Sequence, residues 1–405
     1  MKRGSKMADP LNILHTVGFQ TLYPIVRCEL VYNHTIDLER LKRAVAYVAN
    51  DIPELMSCYE IKTNTYHPID RSATSVVHEV DRINDDLVAD WDLESQPQWQ
   101  LYWVKKTNSL VVYGSHIFTD GAGFKQLLNV LAKTYNEDQD CQVKNHTDIE
   151  GIRQLLKETA GRKVQNDDHP SAPLELPEIV SDGKKRHYQV IHAQLDLAES
   201  EALYRRSKEQ GIHLNDVFMA AFGKAIQQYC GVGEISLACP TDMRKFLPEG
   251  EQKQLRVQNM TGRYNIHVPA TLDEPLAETA WNVHRAMDQQ KEERAFLESF
   301  RSMIGRLDNG ASVAELQGEV EKNYHIRGIS YTNLAIIDAD QLQLGDSVVR
   351  DAWISGGFRT MPLYQIAVST FRRHVNLVAN VIGTPTEIQF AKAVMNQMKL
   401  FLLSL

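Results

Sequence analysis

The chain has 405 residues, 43% of them hydrophobic and 24% charged, which at roughly 150 residues per domain means two to three domains or one large two-lobed enzyme. That length and composition exclude a single small binding module and a disordered chain. With 44 Lys and Arg against 52 Asp and Glu, a net charge of −8 and no long run of like charge, nothing points to a nucleic-acid or anionic-membrane partner.

The first strand-like run is Ile25–Tyr32 (IVRCELVY). Asp37 then stands as a helix cap before Leu38, Leu41, Val45 and Val48, whose three- and four-residue spacing predicts an amphipathic helix. Short strands are predicted at 55–61 and 100–105. The β-branched run 109–117 (SLVVYGSHI) ends in Thr119, Asp120 and Gly121, after which Phe124, Leu127, Leu128 and Leu131 carry helical spacing. Between 164 and 186 three prolines, three aspartates and little periodicity predict an extended linker. It divides an N-terminal lobe, 7–163, from a C-terminal lobe, 187–405. The second lobe repeats the style of the first: a strand at 187–197, a helix at 199–209, and a helix at 213–229 capped by Asn215 or Asp216. Strands follow at 234–238, 262–268, 328–332, 363–370 and 374–381, with a long charge-laced helix at 275–306 and a closing helix at 387–405. Interleaved strands and helices in both halves predict two α/β lobes.

Five cysteines, odd in number and widely spaced without a CxxC pair, predict a reducing, cytoplasmic compartment. No segment has the apolar length of a signal peptide or a membrane span. A second Met restarts the chain at position 7, and residues 1–6 are set aside. There is no GxGxxG after a strand, no P-loop, no HExxH and no His and carboxylate set at metal-ligand spacing, so neither a bound metal nor a dinucleotide is expected. Cys239 reads as a small core residue.

The sharpest local feature is H-x-x-x-D-G, His116 to Gly121, at the end of a predicted strand. Histidine titrates near neutrality, so a strand-end imidazole facing a cleft suits proton removal from an alcohol or amine. Asp120 and Gly121 would build the turn beneath it. Strand, Asp-Gly turn and helix are also ordinary punctuation, so spacing alone leaves His116 either catalytic or structural. Ser115 is a poor nucleophile for His116, because successive strand side chains point to opposite faces.

At these residues SHIFTDG (115–121) resembles the HHxxxDG motif of the CoA-dependent acyltransferase superfamily, which includes chloramphenicol acetyltransferase, plant BAHD acyltransferases, peptide-synthetase condensation domains and alcohol acetyltransferases. His116 matches the second histidine, three residues before Asp120, and Ser115 replaces the first. Dihydrolipoamide acyltransferases, in the same superfamily, likewise keep one histidine. IPELMSCYE (52–60), HLNDVFMAAFGKAI (213–226), PTDMRKFLP (240–248) and ISYTNLA (329–335) are similar to stretches of the condensation and alcohol acetyltransferase branch, in that branch's order. SGGF (355–358) lacks the Asp and Trp of the BAHD DFGWG motif, which disfavours that branch; Gly356 and Gly357 read as a turn.

The resemblance spans about 22–405 and implies a chloramphenicol acetyltransferase-like pair of similar α/β lobes with an active-site tunnel between them. It implies direct acyl transfer from acyl-CoA, or from acyl-phosphopantetheine on a separate carrier protein, to a small-molecule alcohol or amine, with His116 as general base and no acyl-enzyme. It further implies that Asp120 pairs with an arginine, for which Arg244 is the candidate, and that Thr332 and Asn333 are candidate oxyanion or tunnel contacts if they do not merely end a strand. The missing first histidine motivates an alternative: a catalytically degenerate condensation-like module acting in protein binding or regulation.

Overall fold

The computed structural model describes residues 6–18, 22–161, 164, 169–180, 183–323 and 327–405. Its first half carries strands β1 (Ile25–Tyr32), β2 (Val77–Val80), β3 (Trp99–Val104) and β4 (Ser109–Ser115), with helices α1 (Leu38–Asp51) and α2 (Gly121–Glu137). Its second half carries β5 (His187–Gln194), α3 (Leu197–Glu209), α4 (Leu214–Cys230), β6 (Glu234–Asp242), β7 (Thr261–Pro269) and α5 (Leu276–Glu292). These are followed by β8 (Ile329–Ile337), β9 (Val349–Ile354), β10 (Phe358–Thr360), β11 (Tyr364–Phe371), β12 (His374–Gly383) and α6 (Pro385–Leu403). No helix among the described residues is long and apolar enough to cross a membrane.

Local chemistry sets the ends of these elements. The Asp37 side chain accepts from Arg40 N and starts α1, whose buried stripe is Leu41, Ala44, Val45 and Val48. Thr384 and Glu387 form a reciprocal capping box around Pro385 at the start of α6. Helix α4 is buried without a break from Asp216 to Gln227 because α5 and α6 pack against it as well as β6. The expected caps Asn215 and Asp216 lie inside its first turn instead, and the N-cap is His213, which makes no side-chain cap bond.

The first sheet has the order β9–β1–β4–β3–β2, antiparallel except for the β2–β3 pair. In the second sheet β12 carries β5 along one edge; its other edge takes β11 for the first half and β10 for the last residues. Strand β8 extends β11 in parallel, and Leu22–Tyr23 pairs with β10. Strands β6 and β7 form a separate hairpin in full register.

Strand membership crosses the expected linker. β9, from the second half of the chain, lies beside β1 in the first sheet, and Leu22–Tyr23, from the first half, lies at the edge of the second. Two hydrophobic cores result. The first gathers the first sheet with α1 and α2 together with Val349, Ala352 and Ile354; the second includes Leu11, Ile13, Ile152 and Leu155 from the N-terminal half. Leu174 and Leu176 of the linker are buried in the second core. The predicted helix at 275–306 is broken: α5 stops at Glu292, Arg294 adopts a left-handed φ of 52°, and a new helix, Glu298–Asp308, follows. The 55–61 strand shortens to Ser57–Glu60 because Pro53 opens a 3-10 turn ahead of it.

Candidate active site

Strand β4 ends at Ser115, and the chain turns tightly there: Phe118 N and Thr119 N each donate to Ser115 O at 3.2 Å. His116 N donates to Pro24 O at 2.6 Å. Asn259 Nδ2 donates to the carbonyls of His116 (2.9 Å) and Ile117 (2.6 Å). With its N–H and C=O both fixed, the backbone leaves His116 little freedom beyond its side-chain torsions. The Ser115 hydroxyl is buried and makes no hydrogen bond among the described residues.

The His116 ring faces a cavity of about 590 Å³ between the two sheets, walled by residues of both lobes. One face of the ring stacks on His15, centroids 4.5 Å apart and planes 21° apart. Burial pushes the His116 imidazole below its ordinary value, against the contrary pull of its own carbonyl and of Asp120. Its Nδ1 is sealed from solvent and has no hydrogen-bond partner among the described residues. Burial, and then the neighbouring His116, hold His15 further below the usual histidine range. Two stacked neutral imidazoles therefore form one wall of the cavity.

Asp120 sits at the edge of the cavity, at the junction between lobes. Its Oδ1 accepts from Gly123 N at 2.8 Å and caps α2. Its Oδ2 accepts from Met260 N (2.6 Å), Thr261 Oγ1 (2.9 Å) and Arg244 Nη1 (3.0 Å). Arg244 also donates to the carbonyls of Arg256 and Gln258 and to Asp242. Burial alone would raise the Asp120 carboxyl, but the Arg244 charge and these hydrogen bonds outweigh it and hold the group below its usual range.

The glycine after Asp120 serves a different end from the expected turn. Gly121 is the first residue of α2 and has no positive φ; a Cβ there would run into the end of the Leu334 side chain. Gly123 is the more confined: its Cβ would meet Thr119 Oγ1, Arg244 Nη2 and the Gln258 carbonyl.

Thr332 and Asn333 both line the cavity on β8, opposite the motif. Asn333 is committed: Nδ2 donates to Asn215 Oδ1 at 3.1 Å and Oδ1 accepts from Ala335 N at 2.8 Å, where β8 bulges and Ala335 takes a φ of 54°. The Thr332 hydroxyl has no hydrogen bond among the described residues. Cys239 lines the cavity but is 5% exposed, and burial raises its thiol to about 12, so it is not a thiolate nucleophile. The structure thus brings together His116, Asp120, Gly121 and Arg244 at one junction and sets Thr332 and Asn333 across the cavity. Sequence reasoning missed His15, Asn259 and Gly123; none lies in a periodic pattern or a motif that could have marked it.

The condensation-domain family model matches residues 36–292, well over half of the chain. The chain belongs to the condensation-domain family. It lies within the CoA-dependent acyltransferase and condensation superfamily, whose activity in general is acyl transfer. Solved structures of the same fold include polyketide synthase associated protein 5 from Mycobacterium tuberculosis, at 14% identity and TM-score 0.67, covering 98% of this chain and 97% of that one. They also include trichothecene 15-O-acetyltransferase from Fusarium sporotrichioides, at 10% identity and TM-score 0.67, covering 100% and 98%. A third is the first condensation domain of the CDA synthetase, at 13% identity and TM-score 0.65, covering 100% and 96%. No curated protein matches the chain. Within this condensation-family chain, His116, Asp120 and Arg244 fall inside the matched segment, whereas His15 and Thr332 lie outside it.

Proposed function

We propose that this protein transfers an acyl group from a CoA or carrier-bound phosphopantetheine thioester to an alcohol or amine held in the cavity between the lobes, with His116 as general base. The observation that carries the reading is the His116 imidazole, buried at the junction of both lobes, facing the cavity and disposed to be neutral. With Nδ1 sealed from solvent, Nε2 is the nitrogen proposed to accept the proton. The acceptor oxygen or nitrogen attacks the thioester carbonyl carbon, its proton passes to His116 Nε2, and the carbonyl oxygen becomes an oxyanion. Collapse breaks the C–S bond, and the leaving sulfur takes the proton back from His116. No covalent enzyme intermediate is formed. The Thr332 hydroxyl is the donor proposed for the oxyanion. The name of the trichothecene relative, an O-acetyltransferase, supports an oxygen acceptor, and the condensation-domain neighbours support a carrier-bound donor.

The test is acceptor-dependent thiol release from acyl-CoAs of several chain lengths and from an acyl-phosphopantetheine carrier protein, with a panel of alcohols and amines. The expected result is release by the wild type that falls about 10²- to 10⁴-fold in a folded His116→Ala variant. Full activity in that variant, or no release by the folded wild type from either donor class, overturns the proposal and favours the non-catalytic module.

A further inference from the structure

A second cluster of imidazole and carboxylate groups, apart from His116, borders the cavity through His213. His213 stands at the N-terminal end of α4, and His284 and Asp288 lie four residues apart on α5, hence on one face of that helix. One nitrogen or oxygen atom from each of the three lies within 4.8 Å of the others. Their arrangement is directional. His284 Nδ1 sits 2.8 Å from Oδ2 of Asp216, a carboxylate whose side chain is only 1% exposed, while His284 Nε2 faces Asp288 Oδ2 at 3.4 Å. A buried carboxylate that accepts a hydrogen bond from Nδ1–H keeps the proton on that nitrogen and leaves the Nε2 lone pair free, the arrangement that second-shell carboxylates impose on metal-binding histidines. Asp288 is similarly divided: Lys291 Nζ holds Oδ1 at 3.0 Å, and Oδ2 remains toward the histidine. The His213 and His284 rings stand 4.8 Å apart, nearly perpendicular.

We infer that His213, His284 and Asp288 form a binding site for a divalent transition-metal ion, with zinc as the best fit to two imidazoles and one carboxylate. Around bonds of about 2.0–2.1 Å, tetrahedral ligand atoms lie roughly 3.3 Å apart, and the His284–Asp288 pair already has that spacing. The side chain of His213 is 65% exposed and closes the longer separation by rotation. Water completes the coordination. Because His213, Asp216 and Lys291 line the main cavity, the ion ties the start of α4 to α5 across that wall. Spacing along the chain does not mark this set, because its ligands come from two different helices. The site is independent of the proposed acyl transfer.

The test uses the full chain, stripped with chelator and titrated with Zn²⁺ by calorimetry and with Co²⁺ by visible spectroscopy. Expected are one equivalent of Zn²⁺, tetrahedral cobalt bands without a thiolate charge-transfer band, and at least about 100-fold weaker binding in both His213→Ala and Asp288→Asn. Both substitutions are at half-exposed or exposed side chains, and circular dichroism checks that the variants fold. Asp216→Asn removes the orienting carboxylate and weakens binding about 10- to 100-fold. No saturable binding in the micromolar range, unchanged affinity in His213→Ala and Asp288→Asn, or a thiolate band assigning the ion to cysteine overturns the inference.

Discussion

Asp120→Ala removes from the lobe junction a carboxylate that accepts from Gly123 N, Met260 N, Thr261 Oγ1 and Arg244 Nη1. Its side chain and that of Arg244 are 2% and 4% exposed, so solvent replaces little of what is lost. Breaking a buried ion pair by deleting one partner costs about 3–5 kcal/mol, and the loss of the α2 cap, about 1 kcal/mol, is part of that. Asp242, 2.9 Å from the same guanidinium nitrogen and 22% exposed, still compensates Arg244, which places Asp120→Ala near the low end, about 3 kcal/mol. Arg244→Met strands the Asp120 charge and also the Arg256 and Gln258 carbonyls, each worth about 1–3 kcal/mol when buried without a donor, and belongs at the high end. Equilibrium urea unfolding of both single variants and the double variant closes a cycle whose coupling term should exceed about 2 kcal/mol. The pH dependence has a fixed sign: the Asp120 value is depressed in the folded state, so its stabilisation is complete above the unfolded carboxylate value and is lost as pH falls through the folded one. The gap between wild type and Asp120→Ala must therefore shrink in acid. A cost below about 1 kcal/mol, additivity within about 0.5 kcal/mol or a gap that widens in acid would refute the reasoning.

Four further outcomes follow from the same geometry. Because burial lowers the His116 value from the ordinary 6.5, the acid limb of kcat/KM should lie below pH 6.5, with a plateau through neutrality; a limb above 6.5 contradicts a buried neutral base. His15→Leu removes the ring stacked on His116 and should lower kcat up to about 10²-fold, the scale of a small misplacement at a reacting centre, with partial recovery in His15→Phe; equal kcat in all three proteins argues that the stack is idle. Thr332→Val should lower kcat about 10²- to 10³-fold with little change in KM if its hydroxyl meets the oxyanion, and unchanged kcat removes it from the mechanism. Gly123→Ala places a methyl 3.0 Å from Arg244 Nη2 and 3.1 Å from Gln258 O and should destabilise by about 1–3 kcal/mol, whereas Gly121→Ala displaces only the end of Leu334 and should cost less. The reverse order in urea unfolding would be inconsistent with this packing.

The sequence carried the elements whose signals are local. Hydrophobic spacing located α1, α2 and α6, and the β-branched run into Asp120 located β4 and the position of His116. Elements defined by distant partners were illegible. β9 was not anticipated, since Val349–Ile354 becomes a strand by pairing with β1 more than three hundred residues earlier in the chain. The cap of α4 was misplaced because Asn215 and Asp216 have the right chemistry for an N-cap, yet tertiary partners claim both: Asn215 accepts from Tyr331 and Asn333, and Asp216 holds His284. Of the site, His116 and Asp120 were readable because the motif lies in one strand-to-helix turn. His15 was not, because it reaches the imidazole from a 3-10 turn at Pro10–His15 that no periodicity marks.

The motif divides its labour in a way that spacing alone does not reveal. His116, Asp120 and Gly121 all line the cavity, and the imidazole is the ring that the motif presents there. The aspartate is fully engaged: by binding Met260 and Thr261 at the start of β7, and Arg244 after β6, it fastens the first lobe's strand-to-helix turn to the hairpin that walls the cavity. Asn259, between Arg256 and Met260, returns the connection by clamping the His116 carbonyl. The segment 256–261 therefore grips both the aspartate that anchors the turn and the backbone that carries His116. A change there, even one without contact to the imidazole, displaces the His116 ring relative to the β8 wall. Replacing the first motif histidine by Ser115 does not touch this coupling, since Ser115 is buried with its hydroxyl unbonded among the described residues. The departure from the doubled histidine thus leaves the machinery of the turn intact, which argues against reading it as decay.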